Sequence, residues 1–266
     1  MRDVAATGAS AISTTHRRSF RAIAVALAFC ASFAARADLI VPSGGQYTTG
    51  GGQTDLGCTD VVVAGTLFVA GGALVNVRNV TIQPGGAIDG GSGVIQVGGN
   101  WSDGGAFTSR TSTVRFVDAC GASSANVTGS TSFFNARFVS TSGKNYVFQV
   151  GTTQTVAGLL EITGTAANPV QFRSSAPGQV ANIDLLPSGS QSIQHVGVTD
   201  VWATGQHLAP NQINEGGGGN AFNWFGSSIV TEIPIPTLGT FALFALATLL
   251  GVLTFADLRR RRHRRR

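Results

Sequence analysis

The chain has 266 residues, of which 43% are hydrophobic, only 12% are charged and 36 are glycine. The apolar content excludes a wholly disordered chain, and the 8 prolines, without a glycine at every third position, exclude collagen. The net charge of +5 comes from the two ends, since residues 38–233 hold six Lys or Arg against eleven Asp or Glu, and a nucleic-acid partner is therefore not expected.

The first predicted element, residues 1–37, is an export signal. Arg17, Arg18 and Arg21 stand just before the apolar run Ala22–Ala35, which is too short to span a bilayer comfortably. The run leads into Ala35-Arg36-Ala37, a small-x-small cleavage site typical of secretory signals. We therefore predict export through the secretion translocon and a signal peptidase cut between Ala37 and Asp38.

Residues 38–225 are predicted to form an all-β ectodomain. They hold most of the glycines and no long stretch of 3.6-residue amphipathic spacing. Short β-rich runs, such as Val94–Val97 and Thr113–Val117, alternate in polarity between Gly, Asn, Ser or Pro residues. This pattern indicates many short strands joined by tight turns.

A repeated Gly-x-apolar triplet suggests how the strands are arranged. The triplets begin at Gly65, Gly72, Gly86, Gly93 and Gly105, with steps of 7, 14, 7 and 12 residues. Steps near seven predict a right-handed parallel β-solenoid with three faces, made of about eight or nine coils of roughly 20 residues. We expect glycine at the corners because the chain must turn there with positive φ. The period fades after Phe107, so a β-sandwich remains the alternative.

Aromatic motifs add a family resemblance. The segments Gly99–Trp101, Gly105–Phe107 and Ser112–Phe116 resemble the GNW, GxF and STVxF pattern of Gly-rich β-solenoid exported proteins. Gly129–Asn135 and Gly219–Phe225 are similar to the continuation of that pattern. The resemblance implies that the Trp and Phe residues form the core and caps, whereas an exposed aromatic row would stack on sugar rings.

Two cysteines, Cys58 and Cys120, remain after removal of the signal. An even pair in an exported body predicts one disulfide, the alternative being two separate thiols. Their separation corresponds to about three coils, while bonded Cα atoms lie within about 7 Å of each other. We therefore expect the Cys58 segment to fold back as a cap.

The body shows no motif for catalysis or for cofactor binding: Gly-x-Ser-x-Gly, Gly-x4-Gly-Lys and Cys-x-x-Cys are all absent. His195 and His207 lack metal-ligand spacing and are expected at the surface. Asp184 and Asp200 would form a catalytic or calcium-binding pair only if they stacked on neighbouring coils. The sequence predicts no catalytic residue, no cofactor and no metal.

The C-terminal region has three predicted parts. Residues 226–237 form a linker, and residues 238–256 are an uncharged stretch long enough for one transmembrane helix. Residues 257–266 hold seven arginines, which by the positive-inside bias place that end in the cytoplasm. The body would then lie outside the cytoplasm.

The linker runs into the box Ile235, Pro236, Thr237 and Leu238. With the apolar stretch and the arginine-rich end, this box resembles the IPTL-type C-terminal sorting signal of Gram-negative surface proteins. The resemblance implies processing by an exosortase-like membrane peptidase. Phe241 and Ala242 stand where that signal usually carries Trp and Gly.

These features predict an exported, non-enzymatic structural or adhesion protein of the cell surface. The precursor would span the inner membrane once with its C-terminus in the cytoplasm, and sorting would deliver the body to the surface or beyond. The expected contact of the body is extracellular polysaccharide, a neighbouring cell or a second copy of the chain. The alternative is a β-helix polysaccharide lyase or glycoside hydrolase, which would need carboxylates clustered in one groove.

Overall fold

The computed structural model describes residues 37–226. The predicted signal peptide, the sorting box, the predicted transmembrane helix and the arginine-rich tail lie outside the described residues. Within residues 37–226, no helix is long and apolar enough to cross a membrane.

The described part of the chain consists of short β-strands. Their bounds are β1 Leu39–Val41, β2 Gln46–Thr48, β3 Gln53–Val63, β4 Thr66–Phe68, β5 Ala73–Ile82, β6 Ala87–Asp89, β7 Val94–Val97, β8 Trp101–Asp103, β9 Ala106–Thr108, β10 Thr113–Phe116, β11 Ser124–Thr128, β12 Ser132–Phe133, β13 Asn135–Val139, β14 Asn145–Phe148, β15 Thr153–Val156, β16 Leu159–Thr163, β17 Val170–Ser174, β18 Ala181–Leu185, β19 Ser190–Gln194, β20 Val196–Thr199 and β21 Val201–Ala203.

All strand pairs are parallel, and they stack into three faces. The first face contains β1, the ends of β3 and β5, and then β8, β11, β14, β17 and β20. The second face contains two sheets, β2, β4, β6 and β9 and then β12, β15, β18 and β21, which meet where β12 lies next to β9. The third face contains the beginnings of β3 and β5, then β7, β10, β13, β16 and β19. The fold is the predicted parallel β-solenoid, and the sandwich alternative is wrong.

The glycine triplets mark corners of this solenoid, but for a different reason than expected. Thr66 pairs with Ala87 and Ala73 pairs with Val94, so a step of seven leads from the second face to the third within one coil. None of the five triplet glycines has positive φ. Instead, a Cβ atom on Gly93 would lie 2.6 Å from the carbonyl oxygen of Gly72 in the coil below. Glycine is required there by close backbone approach, because no side chain fits between the coils.

The core is built by alternation along each strand. In β7, for example, Ile95 and Val97 are buried while Val94 and Gln96 face outward. Aromatic rings fill the core from Trp101 onward, and the rings of Phe116 and Phe138 lie parallel with centroids 4.6 Å apart. These rings confirm the core role expected for most of the aromatic motifs.

A ladder of Asp and Asn side chains joins the coils at the corner before the first face. The backbone N–H of Asp60 donates to the Asp38 carboxylate at 2.9 Å, and the N–H of Asn79 donates to Asp60 at 3.2 Å. The N–H of Asn100 then donates to Asn79, and that of Asn126 donates to Asn100, each at 2.8 Å. Each side chain therefore satisfies the backbone of the next coil, where the corner interrupts the sheet ladder.

Residues 204–226 close the carboxy-terminal end of the solenoid. Parallel bridges join Thr199 to Gly219 and Leu208 to Trp224, so this segment follows the path of a further partial coil. Trp224 and Phe225 are buried against the core. The end of the core is thus covered by aromatic side chains, as the Gly219–Phe225 motif predicted.

Candidate functional site

A disulfide joins Cys58 to Cys120, as predicted, with the Cα atoms 5.3 Å apart. Cys58 lies in a bulge of β3, and the next residue, Thr59, still pairs with Val77 of the adjacent coil. The Cys58 segment therefore stays within its own coil. The loop after β10 does the bridging: the Ala119 carbonyl lies over Gly98, and Cys120 Sγ lies 3.9 Å from the Asn76 carbonyl oxygen. The expectation that the Cys58 segment folds back is therefore wrong, because the Cys120 loop runs back along the corner.

A buried lysine lies close to this loop. Lys144 is almost fully buried, and its Nζ donates to the carbonyl oxygens of Gly98 and Val117. Burial lowers the pKa of Lys144. Burial also acts to raise the pKa of Asp118, but hydrogen bonds, including those from the N–H groups of Thr141 and Ser142, hold it below the ordinary value. These charged groups fasten the loop to the solenoid.

The carboxylates considered for catalysis do not converge. Asp184 is the fourth residue of β18 and pairs with Thr155 of the preceding coil. Asp200 comes just before Val201, which pairs with Ala181, so Asp200 lies beside the start of β18. Asp200 accepts hydrogen bonds from the Gly178 N–H at 2.8 Å and from Asn220 Nδ2 at 2.6 Å. The two aspartates therefore do not stack. Within residues 37–226, no group of three or more His, Cys, Asp or Glu is placed to hold a metal ion.

Burial raises the pKa of the Asp103 carboxyl above its ordinary value. Its Oδ2 accepts a hydrogen bond from the Thr131 hydroxyl at 2.9 Å, and that hydroxyl accepts one from Trp101 Nε1 at 3.0 Å. Asp103 Oδ1 is buried without a partner. This chain of contacts ties the end of β8 to Thr131 and, through Trp101, to the core.

A shallow concavity of about 320 Å³ lies at the end of the third face. It is lined by Gln194, His195, Asn211, Gln212, Ile213 and Glu215. His195 Nδ1 lies 3.1 Å from Glu215 Oε2, and the ring is partly exposed, as expected for a surface histidine. His207 is likewise partly exposed, and its Nε2 also hydrogen bonds to the Phe225 carbonyl, which helps to hold the end segment in place.

Two aromatic side chains at the end of the second face are exposed. Trp202 is 36% and Phe222 is 65% accessible, and their ring centroids are 5.7 Å apart. Trp202 Nε1 donates to Asn220 Oδ1 at 3.0 Å. Phe222 belongs to the Gly219–Phe225 motif, so its expected core position is wrong.

Sequence reasoning missed Trp202 and Lys144, although one of them carries a signal. Trp202 lies between Val201 and Ala203, and simple alternation in a short strand would have pointed it outward. No pattern marks Lys144, because a lysine beside Gly143 at a corner is ordinarily a solvated residue.

Comparison with protein families finds one match, to the IPTL-CTERM motif, at residues 233–263. This match contains the box Ile235–Leu238 and confirms the recognition of a C-terminal sorting signal. Comparison with curated proteins and with solved structures finds no match to this chain. The class that follows is a sorted extracellular or surface protein with a β-solenoid body.

Proposed function

We propose that the chain is a non-enzymatic structural or matrix-associated protein of the cell surface, processed at its C-terminal motif by an exosortase-like membrane peptidase. The observation that carries this proposal is the IPTL-CTERM match at residues 233–263. In the sequence, the box is followed at once by an uncharged stretch and an arginine-rich end. This order suits a precursor held across the inner membrane until it is cut.

Export is the first step of the proposed route. The translocon would pass the body out of the cytoplasm, and signal peptidase would cut between Ala37 and Asp38. The Cys58–Cys120 disulfide supports this route, because such bonds persist in oxidising compartments and are rare in the cytosol. The peptidase would then act near Ile235, Pro236, Thr237 and Leu238.

In this proposal the solenoid body exposes its outer faces to contacts at the cell surface. The ion pairs between its coils support this structural role. Exposed arginines are tied to acids of neighbouring coils: Arg78 to Asp60 at 2.8 Å, and Arg110 to Asp89 at 3.0 Å. These ion pairs link neighbouring coils, and the two carboxylates therefore have a structural role. Right-handed winding is part of the proposal, as it is the rule for parallel crossovers within one sheet.

The non-enzymatic role is supported by the separation of Asp184 from Asp200. Glycoside hydrolysis needs two carboxyl groups about 5 to 9.5 Å apart across one bond. A polysaccharide lyase or hydrolase is tested directly by incubating the purified chain with host exopolysaccharide. Release of reducing ends or unsaturated products would overturn the non-enzymatic role.

The test of sorting is the intact mass of the chain from its native host, with membrane and surface fractions kept apart. A surface form from Asp38 to about Thr237 is expected. Pro236→Ala should abolish that form, whereas Pro234→Ala, which changes a proline just before the box, should retain it. A chain that still ends at Arg266 and occurs only in the inner membrane would overturn the proposal.

A further inference from the structure

Trp202 and Phe222 form a small aromatic platform, defined here as these two side chains, on the outside of the second face. Trp202 points away from the core because its strand neighbours Val201 and Ala203 are buried. The N–H of Ala203 donates to the Phe222 carbonyl at 2.9 Å, so Phe222 lies on the next level of the same face. The two rings therefore lie next to each other at the surface, with their planes tilted by 55°.

The indole of the platform is fixed by hydrogen bonds. Asn220 accepts from Trp202 Nε1 and donates from its Nδ2 to Asp200 Oδ1. Asp200 is in turn held by the Gly178 N–H, and hydrogen bonds from Asn220 and Gly178 lower the pKa of its carboxyl. An exposed ring that is already oriented loses little freedom on binding, which is the physical basis of preorganised recognition.

The size of the platform limits its ligand. Two side chains are far less than the roughly 800 Å² that each partner contributes to a stable protein interface. A sugar ring matches better, since its C–H face packs on an aromatic face and its hydroxyls bond to amides. Asn182 supplies such an amide, as it pairs in register with Trp202.

Charge selects among sugars. Residues 38–233 carry a net negative charge, and Asp200 lies within the hydrogen-bonded chain behind the platform. Uronic acids would be repelled by this surface. We propose that the Trp202–Phe222 platform binds neutral pyranose chains, which rests on the proposed surface function and gives the body a defined glycan contact.

The chain reports binding by its own fluorescence. Of its 3 tryptophans, Trp101 and Trp224 are 0% and 6% accessible, so an aqueous quencher such as iodide reaches Trp202 first. The full chain is purified in a detergent without a sugar headgroup and titrated with cellohexaose, chitohexaose and hexagalacturonate. At least one of the two neutral oligosaccharides should protect Trp202 from iodide, and hexagalacturonate should not. Protection by neither neutral probe, or equal protection by hexagalacturonate, would overturn the proposal.

Calorimetric titration with the protecting oligosaccharide then locates the site. Trp202→Ala and Phe222→Ala should each raise the Kd about tenfold or more. Tyr47→Ala is the matched control, because Tyr47 is 39% accessible and lies on β2 at the other end of the same face. Phe222 is the more exposed residue, so its variant keeps the test valid if Trp202→Ala misfolds. Unchanged binding in Phe222→Ala would overturn the proposal that the platform binds sugar. The proposed sorting would not be affected, because it is tested separately by the mass measurement.

Discussion

The two halves of the solenoid, β1–β10 and β11–β21, differ in the length of their coils and in the side chains that fill their core. In β1–β10, paired positions such as Leu39 and Val61, or Val61 and Val80, are 22 and 19 residues apart, and most of the core is Val, Leu and Ile. In β11–β21 the separations vary more, from 20 residues for Ala181 and Val201 to 31 for Leu160 and Gln191, and Phe and Tyr rings fill much of the core. The first half therefore repeats nearly the same coil with small aliphatic core residues, whereas the coils of the second half differ in length and carry larger aromatic core residues.

The Cys58–Cys120 bond belongs to the first half and should give the largest effect. It closes a 62-residue loop, for which loop entropy predicts a loss of about 4 kcal/mol when it is removed. We expect the double variant Cys58→Ser, Cys120→Ser to lower the free energy of unfolding by about that amount in urea. Amide exchange should rise in β3–β10 and much less in β14–β20. A uniform rise across both halves would contradict this division.

Truncation of one ring in the second half should cost nearly as much. Phe138 contacts the rings of Phe116, Tyr146 and Phe172. Because Phe138→Ala leaves a cavity among them, it should lower the free energy of unfolding by about 3–5 kcal/mol. Val97 lies two strands away in the same inward column, and Val97→Ala should cost about 2 kcal/mol. Urea denaturation of the two variants checks the difference. Equal losses would mean that the Phe138 ring is not tightly packed in the core.

The glycine corners of the first half provide a smaller and more local test. Gly93→Ala forces a Cβ against the Gly72 carbonyl and should cost about 1–3 kcal/mol. Gly51→Ala meets no atom within 4 Å and should change stability by less than about 0.5 kcal/mol. Thermal denaturation of both variants is sufficient. If Gly93→Ala were silent, close approach would not be the reason for glycine at these corners.

Acid should also act more on the first half. Hydrogen bonds from Arg78 and Arg110 lower the pKa of Asp60 and Asp89, so the stability they give is present above about pH 4 and is lost as pH falls through their folded pKa. Asp103 acts in the opposite direction, because burial raises its pKa and protonation favours the fold. Unfolding free energies at pH 6 and pH 3 should show a modest net loss. Asp103→Asn should make that loss steeper, and a shallower slope would be the contradicting result.

The first half could be predicted from sequence because its corners repeat. Two consecutive coils there place glycine at the same two corners, Gly65 with Gly72 and Gly86 with Gly93, so the period is visible in residues 65–107. In the second half, turns such as Thr165–Asn168 lengthen the coils by varying amounts, and the period disappears while the pairing continues. Spacing therefore reveals a solenoid only where its coils have nearly equal length.

Other features depended on contacts that no local pattern encodes. The cysteine pair was predictable from composition, but the backward path of the Cys120 loop depends on the space above Gly98. The exposed platform combines a strand residue, Trp202, with a ring 20 positions later, and Asn220 joins them only in the folded chain. The sorting motif was recognised because its signal is contiguous.

The disulfide also determines how the body would respond to tension. A solenoid pulled at its carboxy-terminal end loses its coils one after another, since each contacts only its neighbours. Unfolding from this end would stop at Cys120, because the disulfide prevents the 62 residues between the cysteines from extending. Fully extended, that segment would span roughly 210 Å. For a protein presented at a cell surface, the bond would act as a mechanical limit that preserves the first coils under load.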